Sequence, residues 1–268
     1  MSKLNVQFAA VLTWAAAALG LANSTPANAA GAVCLPFGGD VQANATDVPT
    51  LRRGAKLYFN YCSSCHSLQY MRYGRLAQDL QLSEEDLMNN LVFTDAKAGD
   101  FVTISMPKGG RGNPPGSQEW FGVTPPDLSL TARSRGVDWI YNYLNAYYPD
   151  PSRPIGWNNL TFPNSSMPNP LWELQGIQEH VVPAHVGDAK AGDAHADCSP
   201  TAFKKTADGT RTPEQFDADT RDITTFLEYV GEPAIIKRET YGMWAILYLS
   251  LLTMLFWLLK NEYWKDIH

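Results

Sequence analysis

The stretch NYCSSCHSLQY, residues 60–70, decides how the rest of the chain is read. It holds two of the chain's four cysteines, Cys62 and Cys65, with His66 directly after the second. Three chemistries use this pattern: half of a zinc site, a redox dithiol, or an anchor for a covalently bound haem. The choice depends on the compartment the motif works in and on the elements around it.

The two ends of the chain define the compartment. Lys3 is the only charge in the first 30 residues, and FAAVLTWAAAALGLA (residues 8–22) is an apolar run. ANAA (27–30) then offers a small-x-small cleavage site, so residues 1–29 read as a secretory signal peptide. An N-terminal anchor is the alternative, for which the run is short. Near the other end, YGMWAILYLSLLTMLFWLL (241–259) carries no charge and no proline. As a helix it reaches roughly 28 Å, about the thickness of a bilayer's hydrocarbon core. Tyr241 and Trp244 mark one end and Trp257, Tyr263 and Trp264 the other, as interfacial aromatics do. A transmembrane helix over 240–260 follows. Lys237 and Arg238 balance Lys260 and Lys265, so flanking charge does not orient it; the signal peptide does. Residues 30–235 are expected on the periplasmic side of the inner membrane, with 261–268 as a cytoplasmic tail.

An exported domain sits in an oxidising space. That weakens the zinc reading, which also lacks a second ligand pair of the usual spacing. A redox dithiol is expected between a strand and a helix. Here Leu51, Ala55, Leu57, Tyr58 and Tyr61 recur at near-helical spacing, so CxxC closes a helix. Cys-x-x-Cys-His is the pattern of c-type haem attachment. Cys62 and Cys65 are then the thioether anchors and His66 the proximal iron ligand.

An electron-carrying haem needs a sixth ligand. His180, His185 and His195 fall in a Gly-, Ala- and Asp-rich stretch that reads as solvated loop, and His268 in the tail. Met1, Met243 and Met254 lie in the signal or the span; Met71 is too near His66 to cross the ring; Met88 sits on an amphipathic helix capped by Ser83. Met106 and Met167 remain, both before a proline. Met167 is preferred, because prolines at 163, 168 and 170 stiffen its loop; Met106 is the runner-up. A methionine ligand raises the potential relative to a second histidine.

LRRGAKLYFNYCSSCHSLQYMRYGRLAQDL, WFGVTPPDLSLTARSRGVDWIYNYL, FPNSSMPNPLWELQG and DITTFLEYVGEP followed by KRETYGMWAILYLSLL resemble, in order, the cytochrome c1 family, the haem subunits of the cytochrome bc1 complex, in its proteobacterial form. The resemblance implies that Met167 is the axial methionine. It implies that Arg133 pairs with a haem propionate, through the two hydrogen bonds a guanidinium offers a carboxylate. It also implies that Pro125 and Pro126 wall the haem. Trp139 stands where some relatives carry tyrosine, and no haem contact is assigned to it. Residues 180–209 read as a surface insertion. Implied partners are a Rieske iron–sulfur protein as donor, cytochrome b in a dimeric membrane complex, and cytochrome c as acceptor, with no nucleic acid. The electron-transfer subunit is not an enzyme on its own. A stand-alone membrane-tethered cytochrome c is the alternative. A haem enzyme such as a peroxidase would need an open iron or a second haem, and there is one CxxCH.

Cys34 and Cys198 remain, and in an oxidising compartment they suggest a disulfide. Acylation of Cys34 is the weaker option, since Val33 is not small. Residues 31–230 carry 16 basic and 23 acidic side chains, with acidity concentrated in 79–100 and 173–228. These stretches are either solvated faces or a docking field for a basic partner, which salt would weaken. The expected architecture is mainly α: a cytochrome c-like haem domain with long loops plus one C-terminal transmembrane helix. Helices are expected over 137–148 and 213–230, and the clearest loop over 108–122.

Overall fold

The computed structural model describes residues 34–104, 106–107, 109–110, 115–181 and 203–265. The signal-peptide segment, Cys198, His185, His195 and His268 lie outside them.

Among the described residues, Asp47 opens the first helix, α1 (Val48–Tyr61), by accepting the Thr50 amide at 3.3 Å; Pro49 in the first turn removes a donor that would have no partner. Its apolar stripe, Leu51, Ala55, Tyr58 and Phe59, is buried. A strand β1 (Leu68–Arg72) and helix α2 (Tyr73–Asp79) follow. Helix α3 (Glu84–Asn90) is capped by Ser83, whose hydroxyl accepts the Asp86 amide at 3.0 Å. Then come β2 (Phe101–Val102), α4 (Ser117–Phe121), α5 (Thr131–Arg135) and α6 (Val137–Asn145). Next are β3 (Tyr147–Pro149), β4 (Trp157–Asn159), α7 (Trp172–Gln175), β5 (Gly176–His180) and β6 (Phe203–Asp208). The chain closes with α8 (Pro213–Gly231) and α9 (Ile235–Tyr263).

The core is the crossing of α1 with α8, onto which α5, α6 and α7 also pack. Gly54 lets the two backbones meet: a Cβ there would stand 2.1 Å from the Asp222 carbonyl oxygen. At the rim of the crossing, Arg53 binds Asp222 through two hydrogen bonds, of 2.6 and 3.0 Å. Helix α8 starts with a reciprocal cap between Thr212 and Gln215 and buries Phe216, Ile223, Phe226 and Tyr229.

The mainly α expectation holds, with three small antiparallel pairs added: β1–β2, β3–β4 and β5–β6. Two of them revise the reading of the sequence. The helix expected to reach Tyr148 ends at Asn145, because Pro149 disfavours helical backbone at Tyr148 and Tyr147–Pro149 pairs with Trp157–Asn159 instead. The insertion is not all loop: Phe203–Asp208 pairs with Gly176–His180, and the His180 ring packs on Tyr148 and Phe203 at 5.0 and 6.1 Å.

Within α9, Tyr241–Tyr263 is long and apolar enough to cross a membrane, with a mean hydropathy of 1.9. Trp244, Ile246, Leu249, Leu251, Leu255 and Phe256 among its large apolar side chains stand exposed. For a soluble helix this would be an uncovered hydrophobic surface; lipid covers it in a membrane span.

Candidate haem-binding site

Helix α1 delivers the motif. Cys62 is its C-cap, and its amide still bonds Tyr58 O at 2.8 Å. The chain then turns tightly, with the Cys65 and His66 amides both donating to Cys62 O at 3.1 and 2.9 Å. The buried Tyr58 hydroxyl donates to the His66 carbonyl and fixes the turn from below. Both thiols are free, and burial, with Cys65 beside it, pushes the Cys62 thiol up to about 12. A redox dithiol needs the reverse, a stabilised thiolate. Among the described residues no group of three or more His, Cys, Asp or Glu side chains is placed to hold a metal ion.

His66 is buried, at 6% exposure, and its Nδ1 sits 2.7 Å from the Pro126 carbonyl oxygen. A carbonyl only accepts, so Nδ1 carries the proton and Nε2 is left with its lone pair, ready to ligate. Burial lowers the His66 pKa against the opposing pull of the Pro126 carbonyl and the Asp127 charge, which favours the neutral, ligating ring.

Cys62, Cys65, His66, Pro125, Pro126 and Met167 all line one cavity of about 530 Å³ with a largely apolar wall. Ile223 and Leu227 of α8, and Ile140 and Leu144 of α6, form part of that wall. The expected haem residues are therefore brought together, with one exception. Arg133 is not on the cavity. Its side chain lies along α8, with Cγ 3.2 Å from where a Cβ on Gly231 would sit. Among the described residues the Lys or Arg side chain on the cavity is Arg135, whose guanidinium stands 5.1 Å from the Trp139 ring and 5.8 Å from the Phe162 ring. Trp139 also lines the cavity and stacks on Tyr143 at 4.9 Å.

The Met167 loop is held from behind. The Met167 amide donates to Ser165 Oγ at 3.2 Å, and that hydroxyl meets Tyr143 Oη at 2.7 Å. Asn158 Oδ1 accepts the Asn164 amide, and Asn159 Oδ1 those of Thr161 and Phe162. Asn169 Oδ1 accepts the Leu171 amide, and its Nδ2 donates to Gln175 Oε1. Asn164 takes the left-handed turn at φ 64°, which asparagine tolerates. Met106 is half-buried and off the cavity.

The residues fit a covalent haem: two free thiols, an imidazole with one nitrogen spoken for, a thioether, and an apolar enclosure between them. Sequence reasoning missed Arg135 and Asp127. The Asp127 carboxylate accepts from Ser67 Oγ and the Gln69 amide, both at 2.7 Å, and from the Ser129 amide at 2.9 Å. The Asp-x-Ser spacing was the available signal, since a carboxylate readily caps an amide two residues on.

Elsewhere, Cys34 is buried and disulfide-bonded, and Cys198, its expected partner, lies outside the described residues. Part of the acidity serves internal pairs: Asp222 with Arg53, Asp79 with Arg75 and Tyr229, Asp217 with Arg221 and Tyr141. Glu84, Glu85 and Asp86, by contrast, stand exposed on the first turn of α3.

A helix ending in CxxCH, a methionine loop on the same cavity and a bare apolar C-terminal helix define a membrane-anchored c-type cytochrome. Comparison with known proteins narrows the class. The model of the Cytochrome C1 family matches residues 39–102 and 200–267. The chain is 45% identical to cytochrome c1 of Allochromatium vinosum over 223 residues, 83% of this chain and 86% of that one. It is 38% identical to the ammonia monooxygenase gamma subunit of Nitrosomonas europaea, over 83% of this chain and 85% of that one. It is 26% identical to cytochrome c1 of Rhodospirillum rubrum, over 82% and 83%. The chain belongs to the cytochrome c1 family, and so to the haem proteins of electron transport.

Proposed function

We propose that this chain is the haem-bearing electron-transfer subunit of a quinol–cytochrome c oxidoreductase, receiving electrons from a Rieske iron–sulfur protein and passing them to a soluble or tethered cytochrome c. The observation that carries the reading is the convergence of Cys62, Cys65, His66 and Met167 on one apolar cavity in a chain of this family. The haem c it would hold supplies one-electron cycling between ferric and ferrous iron. Cys62 and Cys65 would anchor it, and His66 and Met167 would be its axial ligands. Pro125 and Pro126 lack amide protons and form a stiff wall beside it. Arg135, on the cavity, is better placed than Arg133 to bind a propionate. The apolar wall keeps water out, which limits reorganisation when the charge changes.

Residues 1–29 act as the signal peptide in this reading, and residues 30–235 work in the periplasm. The span over 240–260 anchors the domain in the inner membrane beside cytochrome b, and 261–268 form a cytoplasmic tail. The exposed acids of α3 offer a docking field to a basic acceptor.

Extraction in mild detergent through a tag on this chain is the test. Co-purification of b-type haem and an iron–sulfur signal, with quinol-dependent reduction of the c haem, is the expected result. A lone haem c protein would instead establish the stand-alone tethered carrier.

A further inference from the structure

We propose that Asp127 is a positioning residue for the proximal histidine: by gripping Ser67, Gln69 and Ser129, it holds the Pro126 carbonyl against His66 Nδ1 and so sets how strongly the imidazole donates to iron. The proposal rests on the reading of His66 as an axial ligand.

The contact that matters is His66 Nδ1 to Pro126 O, at 2.7 Å. A carbonyl at Nδ1 raises the basicity of the other ring nitrogen, as an outer partner does for any ligating histidine. Its effect depends on the carbonyl staying in place. The backbone does little to keep it there. Pro125 and Pro126 have no amide proton, so they cannot donate to the segment after the motif. The backbone link there between the two segments is Leu128 N to Ser67 O, at 3.0 Å.

Asp127 supplies what the prolines cannot. One oxygen accepts from Ser67 Oγ and from the Gln69 amide, both across the gap; the other accepts from the Ser129 amide on its own side. Ser129 Oγ completes the join by accepting the Tyr70 amide at 3.2 Å. The carboxylate is thus a three-donor clamp: it stands one residue beyond the carbonyl it steadies and grips Ser67, one residue beyond the histidine it serves. Burial works to raise its pKa but is outweighed by the bonds from Ser129, Gln69 and Ser67, which hold it below the ordinary carboxylate value. It is an anion at neutral pH, and bonds to an anion are about twice as strong as neutral ones.

Asparagine is the informative replacement. Its amide has the same shape but one acceptor, so either Ser129 or the Ser67–Gln69 pair must face an N–H. The carbonyl then slackens on Nδ1, the ring donates less, and ferric iron is less well stabilised. Loss of a nearby negative charge acts in the same direction, so a second variant separates the two causes. Ser67→Ala removes one arm of the clamp and leaves the charge.

The full-length haem-loaded protein in detergent is compared as wild type, Asp127→Asn and Ser67→Ala. Two quantities are read: the ferrous-to-ferric ratio at a fixed potential, and exchange of the hyperfine-shifted Nδ1 proton with solvent in the ferric form. The ratio should rise about tenfold in Asp127→Asn, equivalent to about 59 mV for a one-electron couple. A rise of about twofold is expected in Ser67→Ala, a third as much in free energy, for the loss of one of three arms. Nδ1 exchange should quicken in both. A less stable Asp127→Asn protein with the wild-type ratio and exchange would reduce Asp127 to a fold-holding residue and overturn the proposal. So would a shift in Asp127→Asn with none in Ser67→Ala, which is the signature of charge alone. If Asp127→Asn yields no holoprotein, the Ser67→Ala result decides by itself. A wild-type spectrum without His/Met low-spin ligation would instead defeat the haem reading, before any variant is compared.

Discussion

Gly54→Ala should destabilise the haem domain by about 2 kcal/mol, although on an isolated helix the same change stabilises. A new Cβ at Gly54 would lie 2.1 Å from the Asp222 carbonyl oxygen, 2.8 Å from its carbon and 2.7 Å from Phe226 Cβ. An ordinary carbon–oxygen contact needs about 3.4 Å, so α1 and α8 must part by roughly 1 Å. Two of the three opposing atoms are backbone, and no flexible side chain can give way. Overpacking of this kind costs typically ~1–3 kcal/mol, and the rigid surround points to the upper end. Alanine regains about 1 kcal/mol of helix propensity over glycine. The difference is the expected net loss. The separation would also loosen Leu51, Ala55, Tyr58, Ile223 and Phe226, all at 0% exposure, and pull on the Arg53–Asp222 pair. For a domain of this size, thermal unfolding of the haem-loaded protein should fall by about 4–8 °C. Gly99→Ala is the control, since nothing lies within 4 Å of a Cβ there; it should stay within about 0.5 kcal/mol of wild type. A Gly54→Ala protein as stable as wild type would refute the close approach of the two helices.

Met167→Leu should abolish the low-spin His/Met spectrum and lower the potential, while Met106→Leu should leave both unchanged; redox titration with absorption spectroscopy tells the two apart. Arg135→Gln should shift the potential and weaken retention of the haem fold, and Arg133→Gln should leave the potential alone; equal effects would remove the preference for Arg135. Acid unfolding should report the Asp127 clamp. Its native carboxyl titrates below the unfolded value of about 3.9, so its stabilisation is present in full above that pH and disappears as pH falls through the lowered native value. The stability gap between wild type and Asp127→Asn should therefore stay level from neutral pH to about 4 and close below it; a gap that widens on acidification would reverse the sign of the argument.

How legible a feature was in the sequence followed from how local its cause is. Helix α1 was read from its apolar spacing and from the cysteine pair at its end, because each acts within a turn or two of its neighbours. The cap at Ser83 and the apolar length of α9 are local in the same sense. The β3–β4 pair and the return of 203–208 onto 176–180 were not, since a strand partner is decided by tertiary packing and short strands carry little periodic signal. The two arginines show the limit most clearly. Arg133 and Arg135 sit on one short helix two residues apart, so about 200° of turn separates them and they point to nearly opposite sides. Which side faces the cavity depends on how α5 rests on α8, and that is set by a distant residue. Gly231 has no side chain, so Arg133 can lie flat across it, at 3.2 Å from the vacant Cβ position. With that face of α5 committed to α8, Arg135 is turned to the cavity rim over Trp139 and Phe162. The pattern Arg-Ser-Arg announces a cation near the site; only the glycine almost a hundred residues later selects which one.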